Sequence, residues 1–318
     1  MHQPAAPMNR TQPTVTPSEG GIVDLVARVQ AIGAKAREKA RQPQQDNTAS
    51  VSQEVKQLPL WPEAVRGVPN ALLRSSLFTV NQTRETFSKR VLLASRADIE
   101  LRFMGVRFNQ TDLNVWEMLL HLARSQPLGN EVRFTAYSML KELGRNTGKT
   151  QREQLKEEIT RLRGGVVEIT WKKDKKTFIG GLIEKAYRDE VTQQYVVVLD
   201  EKLLSLYESG YSHINWEQRK ALKSNLAQWL HGMYSGDAAP YPYKVETIHD
   251  LCGSSTKELW KFRQMLKASL NELVAVGCIK EWEIDAADLV RVDAVPSSSQ
   301  TKYINKKRMG CGRKPSSF

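Results

Sequence analysis

Cysteine is scarce in this chain: Cys252, Cys278 and Cys311 are the three among 318 residues. An odd and widely spaced set argues against a disulfide framework and against a cysteine-rich zinc site, and it fits a reduced, cytoplasmic compartment. Long apolar runs are missing too. No stretch approaches the ~20 residues that span a bilayer. The N-terminus, MHQPAAPMNR, lacks a charged-then-apolar signal segment, so no membrane anchor is expected. Acid is in deficit: 47 Lys and Arg face 35 Asp and Glu, a net charge of +12. That surplus favours a polyanionic partner. Catalytic groupings are lacking as well. His2, His121, His213, His231 and His249 stand apart, with no HxH or HExxH spacing. No acidic cluster has metal-ligand spacing. The reading is a protein that is not an enzyme and takes no metal or cofactor.

What is present is organised in two halves, as the length suggests at about 150 residues per domain. Residues 1–64 read as a largely disordered extension with a possible helix at 22–41. A first domain is expected over 65–200 and a second over 201–295, followed by a flexible basic tail at 296–318. The first domain opens with strands near 73–80, 89–95 and 100–108. Thr111 and Asp112 then cap a helix. A helix at 135–143 ends at Gly144, and a longer one at 147–163 carries Leu155, Ile159 and Leu162. Strands at 166–171, 177–187 and 194–199 complete it, the first two joined by the turn KKDKK (172–176). The second domain has helices at 216–234, 245–251 and 256–276, then strands at 279–284 and 288–295. Leu155, Ile159 and Leu162 map onto Leu266, Leu270 and Leu273 at an offset of 111, and Gly144 maps onto Gly253 at 109. Three helices followed by a hairpin make a winged helix. The expected fold is α+β, with two tandem winged-helix domains behind a flexible N-terminal extension.

In such a unit the last helix enters the major groove and the wing follows phosphates. On the helix at 147–163, Lys149, Arg152, Lys156 and Arg163 share one stripe with Thr160, while Glu153, Glu157 and Glu158 fall elsewhere; Arg145 precedes the helix. The bland reading is a solvated face with internal Glu–Lys pairs. The net charge and the adjacent lysine turn favour DNA. On the second long helix, Lys257, Lys261, Gln264 and Asn271 lie opposite the core stripe, with Lys267 at the edge of that face. Gln and Asn can read adenine, and Lys can read guanine or a phosphate. Ser254, Ser255 and Thr256 are expected at its N-terminus as caps and as a phosphate seat. Lys172, Lys173, Lys175 and Lys176 form the tip read as the first wing, either solubilising or touching the DNA backbone. Trp116, Trp171, Trp229, Trp260 and Trp282 sit at core spacing.

Two further motifs need weighing. GRNTGKT (144–150) looks like a phosphate loop, but three residues separate its glycines where four are required, and a helix precedes it. QLPLW (57–61) places apolar anchors in a polar stretch. It is either a docking peptide for a partner's groove or a staple on the first domain.

PNALLRSSLF (69–78), RFNQTDLNVWEMLLHLAR (107–124) and the paired winged-helix pattern resemble the iteron-binding plasmid replication initiators. The resemblance implies binding to double-stranded origin repeats, local duplex opening with contact to single-stranded origin DNA, and a monomer–dimer equilibrium. It also implies recruitment of the host initiator DnaA, the replicative helicase and the sliding clamp. QLPLW looks like the bacterial clamp-binding pentapeptide, with Gln57, Leu58, Leu60 and Trp61 at matching positions. The alternative is a winged-helix transcriptional repressor that binds direct repeats without melting them.

Overall fold

The computed structural model describes residues 56–237, 239–296 and 301. The helix expected at 22–41 and the basic tail lie outside the described residues. The described part is a mixed α and β protein. It begins with strand β1 (Val65–Pro69), the one-turn helix α1 (Asn70–Leu73), and strands β2 (Phe78–Thr79), β3 (Thr86–Leu93), β4 (Ile99–Val106) and β5 (Phe108–Asn109). Helix α2 (Gln110–Ala123), strand β6 (Glu131–Thr135), helix α3 (Ala136–Glu142) and helix α4 (Lys149–Gly164) follow. Strands β7 (Val166–Trp171), β8 (Lys176–Gly180), β9 (Lys185–Asp189) and β10 (Gln194–Val198) come next. The chain continues through α5 (Leu204–Glu208), β11 (Tyr211–Asn215), α6 (Trp216–Ala221) and α7 (Asn225–Ser235). It closes with β12 (Tyr243–Lys244), α8 (Val245–Leu251), α9 (Leu259–Ala275), β13 (Ile279–Ile284) and β14 (Leu289–Ala294).

One unit is built twice. Each copy runs helix, strand, short helix, long helix and then two strands, and each sheet is ordered first, third, second: β6-β10-β9 and β12-β14-β13. The turn between the short and long helices opens in the same way in both copies. Gly144 and Gly253 both take left-handed backbone, with φ of 69° and 65°. This conformation favours glycine because it lacks a Cβ. Arg145 N–H reaches back to the Leu140 carbonyl, and Ser254 N–H to that of His249, five residues in each case. Both are Schellman closures. Leu155, Ile159 and Leu162 are buried, as are Leu266, Leu270 and Leu273.

The sheet order corrects the expected first wing. The counterpart of β13–β14 is β9–β10, whereas β7–β8 belong to a separate four-stranded sheet, β3-β4-β7-β8. The lysine turn therefore tips an inserted hairpin. The long strand expected at 177–187 breaks after Gly180, where the chain leaves one sheet for the other. Other corrections are local. Asn109, not Thr111 or Asp112, is the α2 N-cap: its side chain accepts from Thr111 N–H (3.0 Å), and Asp112 returns the bond to Asn109 N–H (2.9 Å) in a capping box. The expected strand at 73–80 starts as α1. The expected helix at 216–234 is split, because Leu222 takes extended backbone and Ser224 caps a new helix.

Two hydrophobic cores lie beneath these layers. The first continues through Tyr207, Ile214 and Trp216, beyond position 200 where the sequence reading ended the first domain. The second gathers α7, α8, α9 and β14, and it includes Val80 from the early chain. Each fully buried Leu or Phe contributes roughly 1.5–3 kcal/mol.

The junction between the cores is polar. Arg219 on α6 is fully buried and donates to Asn114 Oδ1 (2.6 Å), Gln110 Oε1 (3.0 Å) and the Gln228 carbonyl (2.9 Å). Its Nε also lies 3.0 Å from the Glu117 carboxylate. Burial pushes Glu117 up to about 7, against the pull of Arg219 and Arg66. On the other side of the junction, residues 79–81 grip the α8–α9 turn. Thr79 Oγ1 donates to the Gly253 carbonyl (2.7 Å), Asn81 Nδ2 donates to the same carbonyl (2.8 Å), and Asn81 Oδ1 accepts from Ser255 N–H (2.9 Å).

Candidate nucleic-acid interface

Helix α9 is amphipathic because its apolar residues recur every three to four positions. Phe262, Leu266, Leu270 and Leu273 are buried on one side. Lys257 just before it, and Lys261, Gln264, Lys267 and Asn271 on it, are exposed. Lys257, Gln264 and Lys267 have no side-chain partner among the described residues, while Lys261 pairs with Glu258 at 3.3 Å. Asn271 Oδ1 accepts a hydrogen bond from Trp282 Nε1 (3.0 Å). This orients the amide with its NH₂ outward. Asn271 is thereby set to donate, so adenine readout through both amide atoms is not its presented geometry. Two acids border this outward face: Glu258, and half-buried Glu272, whose carboxylate is held by the Lys223 and Ser224 N–H groups (2.7 and 3.3 Å).

Ser254, Ser255 and Thr256 do not cap the helix. Its N-cap is Glu258, without a side-chain bond. Ser254 Oγ accepts from Thr256 N–H (3.2 Å), Ser255 is bound to Asn81, and the Thr256 carbonyl meets His249 Nε2 at 2.8 Å. Their hydrogen bonds hold the turn, so the expected phosphate seat is not formed by them.

Helix α4 presents a mixed picture. Lys149, Arg152, Lys156 and Arg163 are exposed, with no acid in ion-pair reach among the described residues. Arg152 Nε donates to the Thr147 carbonyl (3.0 Å). Arg145 is withdrawn from the set: its Nη1 binds both oxygens of buried Glu158 (2.8 and 3.0 Å), and Nη2 donates to the Thr111 carbonyl. Glu158 could not be left unpaired there, and burial raises its pKa despite Arg145. Exposed Glu153 and Glu157 border the basic stripe, so α4 offers a less uniform field than α9. On the inserted hairpin, Lys173 and Lys175 are exposed and unpaired among the described residues. Lys172 Nζ donates to the Ala97 carbonyl (3.0 Å) and Lys176 pairs with Glu208 (3.1 Å).

The turns that close β9–β10 and β13–β14 are acidic. Asp189 accepts from Thr192 and Val191 N–H, which holds its carboxyl below the usual range. Asp285 accepts from Leu289 and Ala287 N–H, and Asp288 grips Arg263 with two bonds (2.9 and 3.0 Å). Neither tip offers a cluster of free cations.

The pentapeptide at 57–61 is not a free docking peptide. Leu58 and Trp61 are buried in the first core. Gln57 Nε2 donates to the Arg124 carbonyl (2.8 Å), and Trp61 Nε1 donates to His121 Nδ1 (3.1 Å). Trp61 lies against Gly67, where an added Cβ would meet its ring at 2.5 Å. Leu60 alone stays outside, at 72% exposure. The staple is what the structure contains, and Leu58 and Trp61 form it.

Sequence reasoning misplaced Trp260. It is 55% exposed at the start of α9, while Trp116, Trp171 and Trp229 are core residues. It also missed Thr79 and Asn81, which meet the α8–α9 turn across more than 170 positions of chain. No local signal marks such a contact.

A duplicated helix-and-sheet unit thus presents hydrogen-bond donors along an outward helix, the kind of group that meets acceptor-rich polyanions. A family model described as TrfA protein matches residues 24–293, and the chain belongs to that family. A curated relative from Escherichia coli, "Plasmid replication initiator protein TrfA", is 27% identical over 239 residues, covering 72% of this chain and 62% of the relative. The chain thus spans less than two thirds of that relative's length. Among solved structures, RctB domains 2-3 give a TM-score of 0.46 at 11% identity, covering 73% of this chain and 98% of that one. The Pi initiator protein in complex with iteron DNA gives 0.43 at 11% identity, covering 56% and 88%. Both likenesses are partial.

Proposed function

We propose that the chain is a plasmid replication initiator that binds repeated sites in duplex DNA at an origin, opens the adjacent duplex and gathers host replication proteins, DnaA and the replicative helicase among them. Its two repeated units act as winged-helix modules, a reading supported by their common element and sheet order. It works in the cytoplasm of a bacterial host, without catalysis of its own, and its monomers and dimers exchange. The observation that carries the proposal is the outward face of α9, with Lys257, Lys261, Gln264, Lys267 and Asn271 displayed together. Family membership supports the origin as the setting. Clamp docking at 57–61 is not included, because it would require Leu58 and Trp61 to leave the core.

The test is footprinting of plasmid DNA with purified protein, combined with permanganate reactivity beside the protected repeats. Protected repeats with reactive thymines flanking them are expected. Protection without reactivity indicates a repressor, and a nicked plasmid in magnesium contradicts the non-enzymatic reading. Gln264→Ala should weaken cognate repeats more than scrambled ones, by about 1–3 kcal/mol if it reads a base.

A further inference from the structure

Helix α9 carries an apolar group that the amide-and-ammonium reading does not use. Trp260, Gln264, Lys267 and Asn271 recur at steps of 4, 3 and 4, which places them in one row along the helix. All four are exposed, and the row lies away from Phe262, Leu266, Leu270 and Leu273. Trp260 stands in its first turn. The Lys261 ammonium lies 5.5 Å from the indole centroid, a cation–π contact that ties the ring to a positive charge.

A large aromatic left in water forgoes the burial for which such side chains are otherwise used. Its neighbours in the row are donors suited to acceptors on base edges. The apolar group a major groove presents is the thymine C5-methyl. In groove-binding helices the first turns carry the base contacts. Resting on the duplex-binding reading above, we infer that Trp260 is a specificity-determining residue whose indole packs on a thymine methyl, while Lys261 beside it faces the phosphates.

The full chain is first used to select duplexes from a random pool. In the selected duplex each thymine is then replaced singly by deoxyuridine, which removes only the methyl. Affinities at fixed salt are compared for wild type, Trp260→Phe and Trp260→Ala. One or two replacements should weaken wild type roughly three- to tenfold, as expected when a single methyl is taken from an apolar seat. Trp260→Ala should bind the thymine and uracil forms equally, and Trp260→Phe should retain part of the difference. An unchanged thermal midpoint for both variants separates this from misfolding. The inference is overturned if Trp260→Ala keeps the wild-type thymine preference. It is equally overturned if the variant loses only single-stranded oligo(dT) binding, which marks a stacking platform, or loses no DNA affinity at all, which marks a protein-facing residue. A pool that enriches no sequence removes the duplex reading itself, and this inference with it.

Discussion

Trp61 and Leu60 are neighbours with opposite fates, and their substitutions should separate accordingly. Trp61 is enclosed, stacked on Tyr207 with ring centroids 6.3 Å apart, and hydrogen-bonded to His121. Trp61→Ala should cost about 3–5 kcal/mol in urea unfolding, whereas Leu60→Ala should stay within about 0.5 kcal/mol. His231 gives a pH signature. Burial pushes it down to about 3, with a further push from Arg219. The unfolded chain therefore takes up a proton first as pH falls below the ordinary value of 6.5, and the stability of the neutral buried ring is lost from there toward 3. Glu117 has the opposite sign, since its raised value favours the fold as pH falls below about 7. The clean measurement is a difference. The advantage of wild type over His231→Asn should shrink by up to about 1.4 kcal/mol per pH unit below 6.5. The tryptophans show why single residues were hard to read from sequence. Trp229 and Trp260 share helical surroundings and spacing, yet one is buried and the other open. Which side a helix buries is fixed by what packs against it, and that is not local information.

At the scale of elements, the long helices were legible because their apolar stripes at Leu155, Ile159, Leu162 and Leu266, Leu270, Leu273 obey the helical period. Strands such as β4, β7, β10 and β13 were legible as strands, whereas β1 and β11 were not, and the partners of the others could not be read. Adjacent strands joined by a charged turn suggested a wing at 172–176, whereas the pairing of β7 with β4 assigns that hairpin to another sheet. Lys173 and Lys175 remain candidates for backbone contact. Replacing both with Ala should weaken all DNA sequences alike and lower the salt slope by ~0.9 for each phosphate no longer neutralised. The hold of residues 79–81 on the α8–α9 turn makes a different prediction. Asn81→Ala removes bonds to Gly253 and Ser255. It should speed hydrogen exchange at that turn and cost about 1–3 kcal/mol, without touching a residue proposed to meet DNA.

For the whole molecule, Arg219 is a buried tie between the two cores, beside the grip of residues 79–81 on the α8–α9 turn. Its partners Gln110, Asn114 and Glu117 lie on α2, and its partner Gln228 lies on α7. Arg219→Ala leaves Gln110, Asn114 and Glu117 without their buried partner and should cost about 3–5 kcal/mol. In calorimetry that variant should resolve two transitions, and the intact chain should give one. The route of the backbone has a further consequence for synthesis. β1 pairs with β11, so Val65 waits for Asn215, a separation of 215 − 65 = 150 positions. At roughly 5–20 residues per second, a nascent chain emerging from the ribosome holds that opening strand unmatched for about 8–30 s. Chaperone demand during translation should therefore peak in this interval and end as the 211–215 segment clears the exit tunnel.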